Sequence, residues 1–571
     1  MKPFNTRRAV ASGLLPLLAA AVPALAQQIP DAGQLLRQQP TAPVPSIGAP
    51  PVAAKPPAET KAESSGPTIL VKGFRIVGAS LVPESELQAL LADAIGKELR
   101  FSQLQDRVLQ LAAYYAYKGY MARVFIAPQE FVNGVVTLTV VEGRLGQLKL
   151  DDTIDTNRID VARMQRFISA RVQPGKTLTL GELGGALNIL NEQPGIAARS
   201  TLRPGRGEGE VDVLLSATAT PLASYGLQFN NNGNRATGEQ QLSGSAVFSN
   251  PTGHFDQVAL VLNAAEGVAF VSGDYSLAVG DRGLRVGANA SQLRYRAIQA
   301  ATGDFGSKGD ASTFGINASY PLQRNTYGSL SLNASLNRKH MTDEVTGIET
   351  ANRTVNVGSV GFSGWRINPA IGGISRFGAD LSTGRVDRSR NAGDLNQDAL
   401  GRQTNGEFTK LAWRLGHMAP LGERWNLVAG LSGQFANRGL ESSERFALGG
   451  PNGVRAYPAG EGQGDEGWLL TVNLLRPLND TTRLRIFLDH GEVRLNKTLW
   501  ANWNDGNPNL PNRYALSGIG GGVDWKVEKN LNLALTLATP LGNNPGRNSN
   551  GRDADGRRSD ARLWVSLVAT F

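Results

Sequence analysis

The sequence predicts a membrane β-barrel of sixteen strands preceded by two small α+β modules, each in strand-helix-helix-strand-strand order. Three observations carry this prediction. The chain opens with an export signal, its last 350 residues alternate with period two, and the connections there alternate between short turns and long loops.

Lys2, Arg7 and Arg8 form a basic start, and Leu14 to Val22 a short apolar run broken by Pro16. Ala24-Leu25-Ala26 then supplies a small-x-small cleavage pattern, so residues 1–26 read as a signal peptide and the chain is exported. Residues 27–39 contain a short polar helix over 31–39, capped by Asp31 and stopped by Pro40. The segment 40–67 holds eight prolines in 28 residues and reads as a stiff linker. At ~3.1 Å per residue its greatest reach is about 85 Å.

Residues 68–143 form the first module. Ile69 to Ile76 is a strand and Pro83 to Leu99 a helix. Ser102-x-x-Gln105 has the capping-box pattern and opens a second helix, with Leu104, Val108, Leu111, Ala112 and Tyr115 on one face. Ala122 to Ala127 and Val135 to Val141 read as a hairpin around Asn133-Gly134. Residues 144–218 repeat the order, with Thr179-x-x-Glu182 capping the fourth helix. Such modules offer a sheet edge or a groove to an extended peptide.

From 222 to 571 the texture changes. Leu330, Leu332, Ala334 and Leu336 alternate with Ser331, Asn333, Ser335 and Asn337, as expected of a strand between lipid and a wet lumen. Sixteen such strands run from 223–232 to 562–571. Short turns such as 281–282 and 527–529 alternate with long connections at 295–311, 339–353, 385–406, 436–466, 490–515 and 540–561. A sixteen-stranded barrel encloses an aqueous channel.

Catalytic chemistry finds little support. There is no cysteine, and the four histidines (His254, His340, His417, His490) show no metal-ligand spacing. Asp489 and His490 are neighbours in a strand and point to opposite faces, and no Gly-x-Ser-x-Gly elbow occurs. The runs Gly449-Gly450 and Gly520-Gly521-Gly522 lack the strand-loop-helix context of a phosphate-binding loop. We therefore expect no enzyme activity, catalytic residue, cofactor or metal. The net charge of +9 suits lipopolysaccharide or an acidic client, a solvated loop surface explains it equally well, and no nucleic-acid partner is expected of an exported chain.

Two motifs remain. Gly449-Gly450-Pro451-Asn452-Gly453-Val454-Arg455-Ala456-Tyr457-Pro458 lies in the longest connection, and Phe487-Leu488-Asp489-His490-Gly491 follows in a later strand. They resemble the Val-Arg-Gly-(Tyr/Phe) and Phe-x-Asp-x-Gly motifs of two-partner secretion transporters, the TpsB family of haemolysin-activator and filamentous-haemagglutinin-transporter type. Ala456 departs from the usual glycine. The last strand, Leu563 to Phe571, ends on an aromatic residue and resembles the signal read by the outer-membrane barrel assembly machinery.

The resemblance spans essentially the mature chain and implies its parts. The modules become polypeptide-transport-associated (POTRA) domains in the periplasm, the short helix a lumenal plug, and 436–466 a loop folded into the bore. Arg455 of that loop would meet Asp489 on the inner wall, with Val454, Tyr457, Phe487 and Gly491 around them. Residues 31–39 are shorter than the usual plug. The implied partner is an unfolded secreted exoprotein (TpsA-type) with an amino-terminal secretion domain, captured by a POTRA groove near Tyr115, Phe125 and Ile126. It would leave through the barrel without nucleotide hydrolysis, the transporter acting as a monomer in the cell outer membrane. The alternative is an outer-membrane protein assembly factor of the same barrel superfamily.

Overall fold

The computed structural model describes residues 30–41, 68–152, 154–155, 157–298, 306–504 and 506–571. The expected signal peptide and nearly all of the expected linker lie outside them.

In the first module, Val135–Glu142 is the central strand, parallel to Gly73–Val77 and antiparallel to Ala122–Phe125, which ends the sheet. Helices Glu84–Leu91 and Phe101–Tyr117 cover it, with Leu87, Leu104, Leu111, Val136 and Leu138 fully buried. Three local expectations are corrected. The helix expected over 83–99 stops after one 3-10 turn at Ala94, because Gly96 takes a left-handed φ of 83° and Glu98–Arg100 then pairs with Thr68–Leu70. The next helix begins at Phe101, and the Gln103 side chain, rather than Gln105, accepts from the Arg100 amide at 2.8 Å. Asn133 and Gly134 do both take positive φ, but they close a nine-residue connection instead of a tight hairpin.

The second module has strand order Arg144–Leu150, Glu210–Ala219, Ile196–Pro204 under helices Val161–Ser169 and Leu180–Asn191. The Thr179 hydroxyl accepts from the Glu182 amide at 3.1 Å and so caps the second helix. This module sits directly on the barrel. Phe255, in the turn between two barrel strands, is fully buried in the module's core, edge-on to Phe167 at 5.7 Å. Arg163 donates to the carbonyls of His254 and Ala278, and Arg324 pairs with Glu192 at 2.5 Å.

Sixteen antiparallel strands close the barrel. The seam joins Ala223–Asn230 to Arg562–Thr570 through five residue pairs, from Ser566↔Asn230 to Thr570↔Gly226. The tallest wall is Gly328–Val345 against Ile348–Ile367, paired over eighteen positions and turned by Thr346-Gly347, both at positive φ. The long loop expected at 339–353 is therefore wall. Its alternation was invisible because above the lipid both faces are polar: Asp343 and Arg353 point inward while His340 and Asn352 point outward. The loop after Ile374–Asp387 also carries a helix, Ala392–Leu400, that no apolar stripe announced.

Candidate functional site: plug helix and inward loop

The short helix Ala32–Gln38 lies inside the barrel. The Asp31 carboxylate accepts from the Gln34 amide at 2.9 Å, and the Ala32 amide, left over at the helix start, donates to Asp343 of the wall at 2.9 Å. Ala32 and Leu35 pack with wall residues Leu293, Met341 and Val355. Gln39 accepts from Asn263 at 2.9 Å. Gly33 is required by closeness, since any Cβ there would overlap Ser442 of the inward loop.

One buried guanidinium ties these pieces together. Arg353 pairs with Asp31 of the helix at 3.3 Å, with Glu441 of the loop at 3.0 Å and with Asp343 beside it on the wall. Asp343 also accepts from Tyr295 at 2.7 Å. Burial pushes the Asp31 carboxyl up, but Arg353 and the Gln34 amide outweigh it and hold the group below its ordinary value.

The inward loop runs from Asn437 to Asp465. Near its base Glu444 is clasped by Lys339 at 2.6 Å and Lys410 at 2.8 Å. Burial raises that carboxyl, yet the two ammonium groups bring it down to about 2. Phe446–Ala447 then pairs with Gln463–Gly464, and the tip descends along the inner wall.

At the tip, Arg455 forks onto Asp489: its Nε meets Oδ2 at 2.8 Å, its Nη2 meets Oδ1 at 2.6 Å, and its own amide reaches Oδ2 at 3.1 Å. The remaining Nη1 donates to Asn473 at 2.9 Å, and the guanidinium lies 3.5 Å from the centre of the Phe487 ring. Asp489 is fully buried. Val454 and Tyr457 are buried with Leu448, Val493 and Leu516. A Cβ at Gly491 would come within 2.6 Å of the Leu448 side chain, which explains glycine there.

Other parts were not singled out beforehand. Trp564 of the last strand donates to the Arg455 carbonyl at 2.8 Å, and Asn473 completes the guanidinium. The glycine-rich stretch around 518–522 has a steric purpose: a Cβ at Gly518 would lie 2.7 Å from that of Ala456, and one at Gly520 would strike Phe487. A glycine run inside an alternating strand was the available signal. Ala456 itself has no left-handed φ and needs no glycine.

The remaining expected residues are placed differently. Tyr115 does not line a groove. It is fully buried in the first module's core, donating to Glu142 at 3.0 Å, so it is unavailable to a peptide. Phe125 and Ile126 are half-buried at the end of the edge strand, with Arg123 over the Phe125 ring at 5.1 Å. Phe571 is exposed at the periplasmic end of the seam, exchanging backbone bonds with Tyr225 at 2.9 and 3.0 Å. Plug and loop both lie inside the bore, and beside the helix are cavities of about 470 and 680 Å³.

Against known proteins, the family described as haemolysin secretion/activation protein ShlB/FhaC/HecB matches residues 209–522, more than half of the chain. The chain belongs to that family. A ShlB-type POTRA domain matches residues 69–143. The transporter is 27% identical over 499 residues to the heme/hemopexin transporter protein HuxB of Haemophilus influenzae strain 86-028NP, covering 86% of this chain and 85% of that one. It is 25% identical over 399 residues to the outer membrane transporter CdiB of Dickeya dadantii strain 3937, covering 69% of each. Among solved structures, CdiB from Escherichia coli superposes with a TM-score of 0.67 at 20% identity, over 90% of this chain and 93% of that one. BamA from Haemophilus ducreyi lacking POTRA domains 1–3 gives 0.51 at 14%, over 88% and 100%. These two share the fold. The transporter is an outer-membrane two-partner secretion channel with periplasmic POTRA domains, and its partner is a secreted exoprotein.

Proposed function

We propose that the exoprotein is captured unfolded in the periplasm through an amino-terminal secretion domain, and that it leaves only after the plug helix and inward loop have moved. The observation that carries this reading is the shared guanidinium of Arg353, which joins helix, wall and loop in one cluster inside the bore. A client shifts the assembly by binding its open arrangement more tightly than its closed one. No nucleotide is hydrolysed; folding of the exported chain outside supplies direction.

Capture uses strand addition at Ala122–Phe125, the end of the first module's sheet, with Phe125 and Ile126 contributing apolar contact and Tyr115 bracing the strand from behind. Arg455, Asp489, Val454, Tyr457, Phe487 and Gly491 form the lumenal loop lock, and Phe571 presents the signal to the barrel assembly machinery. The transporter acts as a monomer and contacts lipopolysaccharide through its outer wall. An assembly-factor role is not favoured, since likeness to BamA at 14% identity concerns the fold alone. The test is deletion of residues 68–218. Secretion of the client should be abolished while barrel insertion persists; undiminished secretion would remove the capture step.

A further inference from the structure

The outer face of the tallest wall carries cations that the transport reading does not use. In strands Gly328–Val345, Ile348–Ile367 and Ile374–Asp387, Arg338 stands opposite Asn356, and Asn356 opposite Arg385. Met341, Asp343, Arg353, Val355 and Val386 are buried toward the lumen, so alternation turns Arg338, His340, Asn356 and Arg385 outward. Immediately below on the same face lie Leu336, Val360 and Leu381, exposed by 60%, 57% and 56%. These form the lipid-facing belt. From Asn356 the next outward charge down the strand is Arg366, ten residues on. At ~3.4 Å per residue and a tilt of ~40°, those ten residues rise about 26 Å, against the ~25 Å of an outer-membrane apolar band. Arg338 and Arg385 therefore stand at the level of the outer-leaflet head groups.

Neither arginine has an ion pair or side-chain hydrogen bond among the described residues, and the same holds for Arg390 in the loop above. His340, one step above Arg338, lies 3.3 Å from the Thr354 hydroxyl. The carboxylates nearby are accounted for. Asp310 is held by Arg294 at 3.3 Å, and Glu349 accepts from Asn352 at 2.9 Å and Asn391 at 3.1 Å. Glu407 faces Arg385 in the register, and Asp387 two residues above accepts from the Ser389 amide at 2.9 Å and feels Arg385 and Arg390 through space, yet neither carboxylate closes an ion pair with Arg385. Two strand spacings of ~4.8 Å set the arginine-bearing strands ~9.6 Å apart, with an amide between them.

We propose that Arg338, Asn356 and Arg385, with His340 above, bind the phosphorylated sugar head of an outer-leaflet glycolipid, its acyl chains lying on Leu336, Val360 and Leu381. The proposal rests on the barrel being embedded in the outer membrane. A guanidinium matches a phosphate bidentately, and two of them ~9.6 Å apart suit a head group bearing more than one anion. Leu336 leans over Gly358 directly beneath Asn356, its Cδ2 3.1 Å from where a Cβ would stand, so the apolar surface reaches up to the polar residues. A free phosphate would engage one arginine and ignore the apolar belt. The same three strands carry Asp343 and Arg353 on their inner face, so the lipid steadies the wall to which the plug is tied.

The test uses the full-length protein in detergent, with binding read by native mass spectrometry and melting temperature. The probes are purified lipopolysaccharide, the same material stripped of phosphate, and inorganic phosphate. Intact lipopolysaccharide should bind and raise the melting temperature, while the stripped form should bind at least about tenfold more weakly. Arg338→Gln with Arg385→Gln should weaken binding by about 100-fold. Arg513→Gln, an outward arginine already paired with Glu492 at 2.6 Å, should bind as the wild type does. Heat-modifiable gel migration reports whether each barrel is folded; should the double variant not fold, Arg385→Gln alone serves, with about a tenfold loss expected. Equal binding by the folded variants, equal binding of the stripped lipid, or displacement by inorganic phosphate would each overturn the proposal. Client secretion by the double variant should persist, so failure of the lipid site is distinguishable from failure of the transport reading.

Discussion

Arg455 and Arg353 are both buried inside the barrel, yet they are partnered in opposite ways. Arg455 meets a single carboxylate with a full fork, an amide oxygen for its spare nitrogen and an aromatic ring beneath it. Arg353 is shared among three carboxylates belonging to three different parts of the chain. The first arrangement is saturated and local to loop and wall. The second ties helix, wall and loop through one cation, with Arg37 of the helix adding positive charge near Asp31, Glu441 and Glu444. The comparison teaches that loop tip and plug are held by different means: one by a complete pair, the other by a guanidinium shared among three parts of the chain.

The largest effect should come from breaking the complete pair. Arg455→Ala leaves Asp489 buried without a counter-charge, a loss of about 3–5 kcal/mol in comparable pairs. Client secretion should fall at least about tenfold while the barrel still assembles. Wild-type secretion by that variant would detach the loop tip from the mechanism. Next comes the cluster. Arg353→Met removes the one cation bonded to Asp31, Asp343 and Glu441 together, with Arg37 and Arg402 left only nearby, so the plug should leave and single-channel openings rise by about tenfold or more. Unchanged conductance would mean that the helix is held by its apolar contacts alone.

A third test separates the two limbs of the loop by pH. Glu461, on the returning limb of the loop two residues before Gln463, is pushed up to about 7 by burial, with Asp553 and Asp555 adding to the shift and the Ala554 amide and Asn544 opposing it. Tyr514 lies close by, and Arg547 is engaged with Asp553 at 3.0 Å. A carboxyl raised in the folded state stabilises it below about 4.5 and loses that contribution as pH rises through about 7. Protease accessibility of the returning limb should thus increase about tenfold from pH 6 to pH 8 and become pH-independent in Glu461→Gln. Glu444 behaves in the opposite sense: lowered to about 2, its contribution is present above about 4.5 and is lost only as pH falls through about 2. The loop base should show no change over the same range. The smallest effect is steric. Gly518→Val overfills the seat of Ala456 and should destabilise the tip by about 1–3 kcal/mol, read as a lower melting temperature.

How much of this was legible in the sequence depends on where each contact lies. Lipid imposes strict alternation, so all sixteen strands were visible where Leu332 and Leu336 face apolar chains. Above the lipid that pressure ends, and Met341 to Arg353 looked like a loop. Arg455 and Asp489 were legible because both sit in compact motifs. Arg353 was not: it is one polar residue in a polar stretch, 322 positions from Asp31. Tyr115 was misplaced because a helix face reads the same whether it packs on a sheet or lines a groove. Gly518 and Gly520 are explained only by Ala456 and Phe487, which the closed barrel brings opposite them.

The central claim is that the plug helix and inward loop must part for the client to pass. The natural chain has no cysteine, so one introduced pair reports on it cleanly. Asp31→Cys with Ser442→Cys joins the helix to the loop where their side chains hydrogen-bond. When the bridge is oxidised, secretion should stop, and adding reductant should restore it. Wild-type secretion with the bridge fully formed would contradict the account.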